Sequence, residues 1–100
     1  MIKHVSLWKL KDGLSDAEKT NIKAGIKAGL EGLKGVIPGL VAITVNHEGL
    51  PSSNADVMLD SEFTDAAALK AYAVHPEHVA VADSAVSPFT KTRLCLDFDA

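Results

Sequence analysis

Hydrophobic periodicity changes four times along this chain, and the order of those changes constrains its fold more than any other feature. Residues 2–10 (IKHVSLWKL) alternate, with Val5 and Leu7 on one side and Ile2, His4, Ser6, Trp8 and Leu10 on the other, as in a strand. Ser15-Asp16-Ala17-Glu18 then has the spacing in which a serine and a glutamate satisfy each other's free amides at a helix start. Ile22, Ile26, Leu30 and Leu33 continue as one apolar stripe, ending near Gly35 and Pro38. Gly25, Gly29 and Gly32 weaken this helix, so close packing against a neighbour is expected to hold it. Alternation returns over Leu40 to Glu48 and again over Asp56 to Phe63, separated by a Gly/Pro/Ser/Asn loop. Thr64 or Asp65 can cap a second helix through Leu69 and Tyr72. His75-Pro76 interrupts it, residues 77–87 resume helical spacing, and Thr92 to Phe98 alternate as a last strand.

Strand, helix, strand, strand, helix, strand is the split β-α-β order of an α+β, ferredoxin-like domain. Right-handed crossovers place both helices on one face of a four-stranded antiparallel sheet. The spatial order of strands is then fourth, first, third, second. Val5, Leu7, Val57, Leu59, Leu94, Leu96 and Phe98 are assigned to the helix side. His4, Ser6, Trp8, Leu10, Met58, Asp60, Arg93, Cys95 and Asp97 are assigned to the open side, a mixed surface that needs a cover. A second copy of the chain would supply it, making a homodimer through the open sheet face.

With 100 residues the chain forms one domain, residues 1–100. Apolar residues make up 47% but aromatics only 5%, so the core is aliphatic. A formal net charge of −3 with scattered lysines excludes a basic surface for nucleic acid or anionic lipid. No segment is long enough to span a membrane, the start lacks the apolar core of a secretory leader, and Cys95 has no partner for a disulfide. The expected compartment is the cytoplasm.

Four residues are candidates for chemistry. Antiparallel first and fourth strands bring His4 opposite Asp97, and a carboxylate holding one imidazole nitrogen leaves the other free. Tyr72 and His78 flank the interruption at His75-Pro76, close enough to face one cavity. Nothing local explains His78, whereas His75 can serve as a helix cap. Trp8, Ser6, His75 and Met58 are the expected pocket residues; Trp8 can equally fill a dimer core. His75-x-x-His78 with His4 or Asp97 could bind a metal, but there is no His-Glu-x-x-His run, cysteine pair or calcium loop, and none is assigned. Cys95 reads as a small buried hydrophobe. No glycine-rich nucleotide loop occurs, so hydride chemistry is not supported and no cofactor is assigned.

Ile2-Lys3-His4-Val5 with Leu7, Ile37-Pro38-Gly39, Ser61-Glu62-Phe63, the ending Leu96-Asp97-Phe98 and above all Tyr72-x-x-His75-Pro76-x-His78 resemble the stress-responsive A/B barrel (Dabb) domain over nearly the whole chain. The resemblance implies a dimeric α/β barrel built by packing two sheets. In cyclase-like members of that family, residues corresponding to Tyr72 and His78 are the catalytic candidates, supported by positions like His4 and Asp97. It therefore implies a homodimer that binds a small organic molecule between sheet and helices, with cofactor-free aldol ring closure through Tyr72 and His78 as its activity. The alternative is a non-enzymatic stress-responsive oligomer. A dimeric-barrel monooxygenase is the least favoured reading, since its residue signature is missing.

Overall fold

A computed structural model describes residues 1–100. Its elements are β1 (Ile2–Leu10), α1 (Asp16–Glu31), β2 (Leu40–Asn46), β3 (Val57–Phe63), α2 (Ala66–Val74), α3 (Pro76–Val81) and β4 (Thr90–Asp99). The strands form one antiparallel sheet in the order β2-β3-β1-β4, as the split pattern requires. No helix is long and apolar enough to cross a membrane.

Local chemistry sets the ends of the helices. Ser15 Oγ accepts from the Glu18 amide while Glu18 returns a carboxylate to the Ser15 amide, closing the capping box of α1. Asp65 caps α2 by accepting from the Ala68 amide at 2.8 Å. Between α3 and β4 the chain makes a π turn over Ala82–Val86 and a 3-10 turn over Ser87–Phe89.

Of the two glycines inside α1, Gly29 meets the reason expected of it, while Gly32 stands just past the helix as its C-cap. A Cβ there would lie 2.8 Å from a Val81 methyl, so α1 and α3 approach as closely as they do only because that carbon is missing. Gly25 has nothing within 4 Å and takes no unusual φ. Gly25→Ala is therefore expected to stabilise the fold by about 0.8–1 kcal/mol through helix propensity alone. The midpoint of thermal unfolding should rise by about 4–8 °C, read by circular dichroism. Gly29→Ala should show no such gain.

Ile26, Leu30 and Leu33 pack against Ile43, Val45, Val57, Leu59 and Phe63, all buried. On β1 the residues beneath the helices are His4, Ser6, Trp8 and Leu10, between 0% and 7% exposed. This reverses the expected faces of β1 and β4. Val5 and Leu7 lie on the open side together with Leu94, Leu96 and Phe98, which are 65%, 66% and 43% exposed. Arg93, Cys95 and Asp97 accompany Trp8, Ser6 and His4 on the helix side.

The cause is a single step of register. Ser6 pairs with Leu59 and Trp8 with Val57, so even-numbered residues of β1 share a face with odd-numbered residues of β3. Side chains alternate strictly, and one residue of slip turns a whole strand over. The β1–β4 register is the expected one, with His4 opposite Asp97, so β4 turns over together with β1. Met58 and Asp60 stay on the open side, as assigned.

Candidate functional site

α1 and α2 pack over β1, β2 and β3, but every residue of β4 beyond Thr90 is exposed. The helix layer stops short of the last strand, leaving a cavity of about 780 Å³. It is within the size range of small-molecule sites. Its floor includes His4, Ser6 and Trp8, its β4 wall Arg93, Cys95 and Asp97, and its helical wall Tyr72 and His78. The π turn contributes Ala82 and Val86, and such turns recur at functional sites because they displace side chains from regular helical positions.

The break between α2 and α3 brings Tyr72 and His78 together. His75 leaves the helical region at φ −66°, ψ 132°, as a residue before proline must. Its Nδ1 accepts from the Glu77 amide at 3.1 Å, so the side chain caps α3, and Pro76 occupies the first helical position where no amide donor is needed. The chain thus changes direction between the last turn of α2 and the first of α3. The rings of Tyr72 and His78 stack at 4.1 Å, tilted by 35°.

Tyr72 is 1% exposed, packed against Phe63 at 4.9 Å and edge-on to His4 at 6.2 Å, yet its hydroxyl has no hydrogen-bond partner. A buried polar group in this state is costly. Burial pushes its pKa to about 12, with the positive charge of Arg93 opposing, so the phenol keeps its proton and acts as a donor. Burial also holds His78 below its ordinary 6.5, despite the carbonyl of Ala73 that accepts from Nδ1 at 3.4 Å. His78 is therefore neutral at pH 7, and with Nδ1 donating, the lone pair is on Nε2. Two neighbouring groups, one held protonated and one deprotonated, are the pairing expected of an acid and a base.

A second set of side chains lies beside this pair. His4 Nδ1 donates to Asp97 Oδ1, which leaves Nε2 to accept from Ser6 Oγ at 3.4 Å. Arg93 Nη2 donates to the same hydroxyl at 3.5 Å. His4, Asp97 and Cys95 also bring potential metal ligands within 4.8 Å of one another, although His4 and Asp97 already satisfy each other.

Three sequence expectations need correction. His75 is not in the cavity wall, because its ring is spent on the α3 cap. Met58 lies on the opposite face of the sheet, beside Leu7 in a shallower depression. Cys95 is exposed rather than buried, since no helix reaches over β4. Arg93, Lys70 and Lys91 also line the cavity, beyond the residues to which the sequence points. The pairing of Arg93 with Trp8 was the available signal for the first of these.

The family model of the stress-responsive A/B barrel domain matches residues 2–100. The chain belongs to this family. A structure from Bacteroides fragilis, described as a dimeric protein of ferredoxin-like fold, is 31% identical to this A/B barrel domain, with a TM-score of 0.92 over 99% of this chain and 95% of that one. A Dabb family protein with a ferredoxin-like fold from Mesorhizobium loti is 23% identical, with a TM-score of 0.74 over 99% and 95% of the two chains. A hydroxynitrile lyase from Passiflora edulis is 16% identical, with a TM-score of 0.71 over 97% and 90%. The last two likenesses show the fold alone. No curated protein matches the chain.

Proposed function

We propose that this A/B barrel domain binds a small carbonyl compound in the cavity between sheet and helices and acts on it without a cofactor. Tyr72 donates to the carbonyl oxygen, and His78 Nε2 removes a proton from the adjacent carbon. The resulting enolate can attack a second carbonyl of the same molecule, an aldol ring closure of the polyketide-cyclase kind. His4 and Asp97 act as positioning residues, through the edge contact of His4 with the Tyr72 ring. The observation that carries this reading is the buried, unpartnered hydroxyl of Tyr72, which a ligand oxygen would satisfy.

The first chemical step can be tested with a simple ketone. In D2O the protein is expected to speed deuterium incorporation into the methyl group of acetophenone, followed by proton NMR. The rate should be level above about pH 6.5 and fall below it. A neutral His78 is the active form, its pKa lies under the ordinary 6.5, and protonation removes the base. Exchange at the buffer rate throughout would remove the catalytic reading and favour a non-enzymatic oligomer.

We infer further that the protein is a homodimer joined through the open sheet face. Leu94, Leu96 and Phe98 form an exposed apolar row flanked by Val5 and Leu7. An apolar surface of this kind marks an interaction site, and the Bacteroides fragilis relative is described as dimeric.

A further inference from the structure

The cavity wall is positively charged in a chain whose formal net charge is −3. Lys70, Lys91 and Arg93 border it, against a single carboxylate, Asp97. Asp97 is engaged by His4, and Lys91 pairs with Asp12 at 2.7 Å. Arg93 has no carboxylate partner: the ion pairs of the molecule are Lys3–Asp60, His4–Asp97, Lys27–Glu31, His47–Glu48 and Lys91–Asp12.

Two observations place Arg93. Its strand places it directly opposite Trp8, and its Nη2 reaches the fully buried Ser6 hydroxyl at 3.5 Å. The guanidinium therefore stands over the cavity floor, and its charge acts on both Tyr72 and His78. A guanidinium is charged at all working pH values, and its planar fork matches the two oxygens of a carboxylate.

We propose that the cavity takes a carboxylate-bearing ligand, with Arg93 holding the carboxylate and the apolar body lying along Trp8 toward Tyr72 and His78. This rests on the reading of the cavity as a ligand site and names the class of ligand. Arg93 thereby sets which end of the molecule enters, since a carboxylate held at β4 directs the other end toward the Tyr72–His78 pair.

Benzoate and benzamide have nearly the same shape and differ in charge, so titrating each into the full chain isolates the contribution of the ligand's charge, and Arg93→Gln assigns it. Trp8 is the only tryptophan, and its indole N–H resonance reports on the cavity. Benzoate is expected to bind about tenfold or more tightly than benzamide, the usual size of a charge-assisted hydrogen-bond pair. Arg93→Gln should abolish that preference while benzamide binding persists, which also shows that the variant is folded. Lys34→Gln, an equal change of charge at an exposed residue away from the cavity, should preserve the preference. Equal binding of the two probes, or a preference that survives Arg93→Gln, overturns the carboxylate assignment but leaves the cavity as a ligand site. Tighter binding of phenyl phosphate than of benzoate overturns it in favour of a phosphate. If neither benzoate nor benzamide moves the Trp8 resonance, the ligand-site reading fails together with it.

Discussion

Replacing His78 with alanine is expected to lower the deuterium exchange of acetophenone by about 10²- to 10⁴-fold, the usual contribution of a positioned general base. The fold should survive. His78 is only partly buried and makes one long hydrogen bond, to the Ala73 carbonyl. Its main contact is the stack on Tyr72, whose loss costs about 1 kcal/mol. Circular dichroism and the Trp8 indole resonance separate the two effects, since both should be close to wild type in the variant. A variant that exchanges at the wild-type rate would show that the base is another group. His4 would be the next candidate, because its Nε2 faces only the Ser6 hydroxyl.

Leu96→Glu is the second substitution with a large expected effect, and it acts on the opposite side of the sheet. Leu96 is 66% exposed in one chain and stands in the row with Leu94 and Phe98. If that row is the dimer contact, a twofold axis places the substitution at the interface twice. Exposing a leucine loses about 1.5–3 kcal/mol of burial per copy, before any repulsion between the new charges. The dissociation constant should therefore rise more than about a hundredfold, and light scattering should report a folded monomer. The same change at Ser6 would act differently. Ser6 is 0% exposed beneath the helices, so a glutamate there costs the fold instead of the interface. A wild-type monomer, or a Leu96→Glu dimer, would contradict the open-face assembly.

Element order was legible because periodicity is local. Alternation in β1 to β4, the Ser15–Glu18 box and the His75-Pro76 break each depend on a few neighbouring residues, and each stands where the sequence places it. The facing of β1 and β4 was not legible, because it depends on register between strands distant in sequence. β1 carries apolar groups on both sides, so its composition does not choose a face. In β4 the apolar residues Leu94, Leu96 and Phe98 would indicate a core face in a self-sufficient chain. Here they point outward, since β4 pairs with β1 in a register that turns both strands over together.

The contents of the cavity follow from the same difference. The pairing of His4 with Asp97 could be read from antiparallel neighbours, and the proximity of Tyr72 and His78 from the proline break. That all four meet around one space is implied by the family resemblance but not by periodicity, because it needs β1 and β4 to present their even-odd sets toward the helices. Arg93 follows the same change: on the open face it would meet a second copy of the chain, and on the helix side it is a charged wall of the cavity. His75 and Met58 erred in the other direction. Sequence spacing brought them near the site, but a capping hydrogen bond and the opposite sheet face take them away from it.

Acetophenone labelled with carbon-13 at its carbonyl tests the central claim most directly, because its resonance reports on a hydrogen bond to the oxygen. With the ketone bound to the wild-type protein, donation from the Tyr72 hydroxyl should move the carbonyl signal downfield. Bound to Tyr72→Phe, which removes one buried oxygen and leaves the ring, the signal should stay near its position in an apolar solvent. The same bound shift in both proteins, or no bound signal in the wild type, would contradict the account.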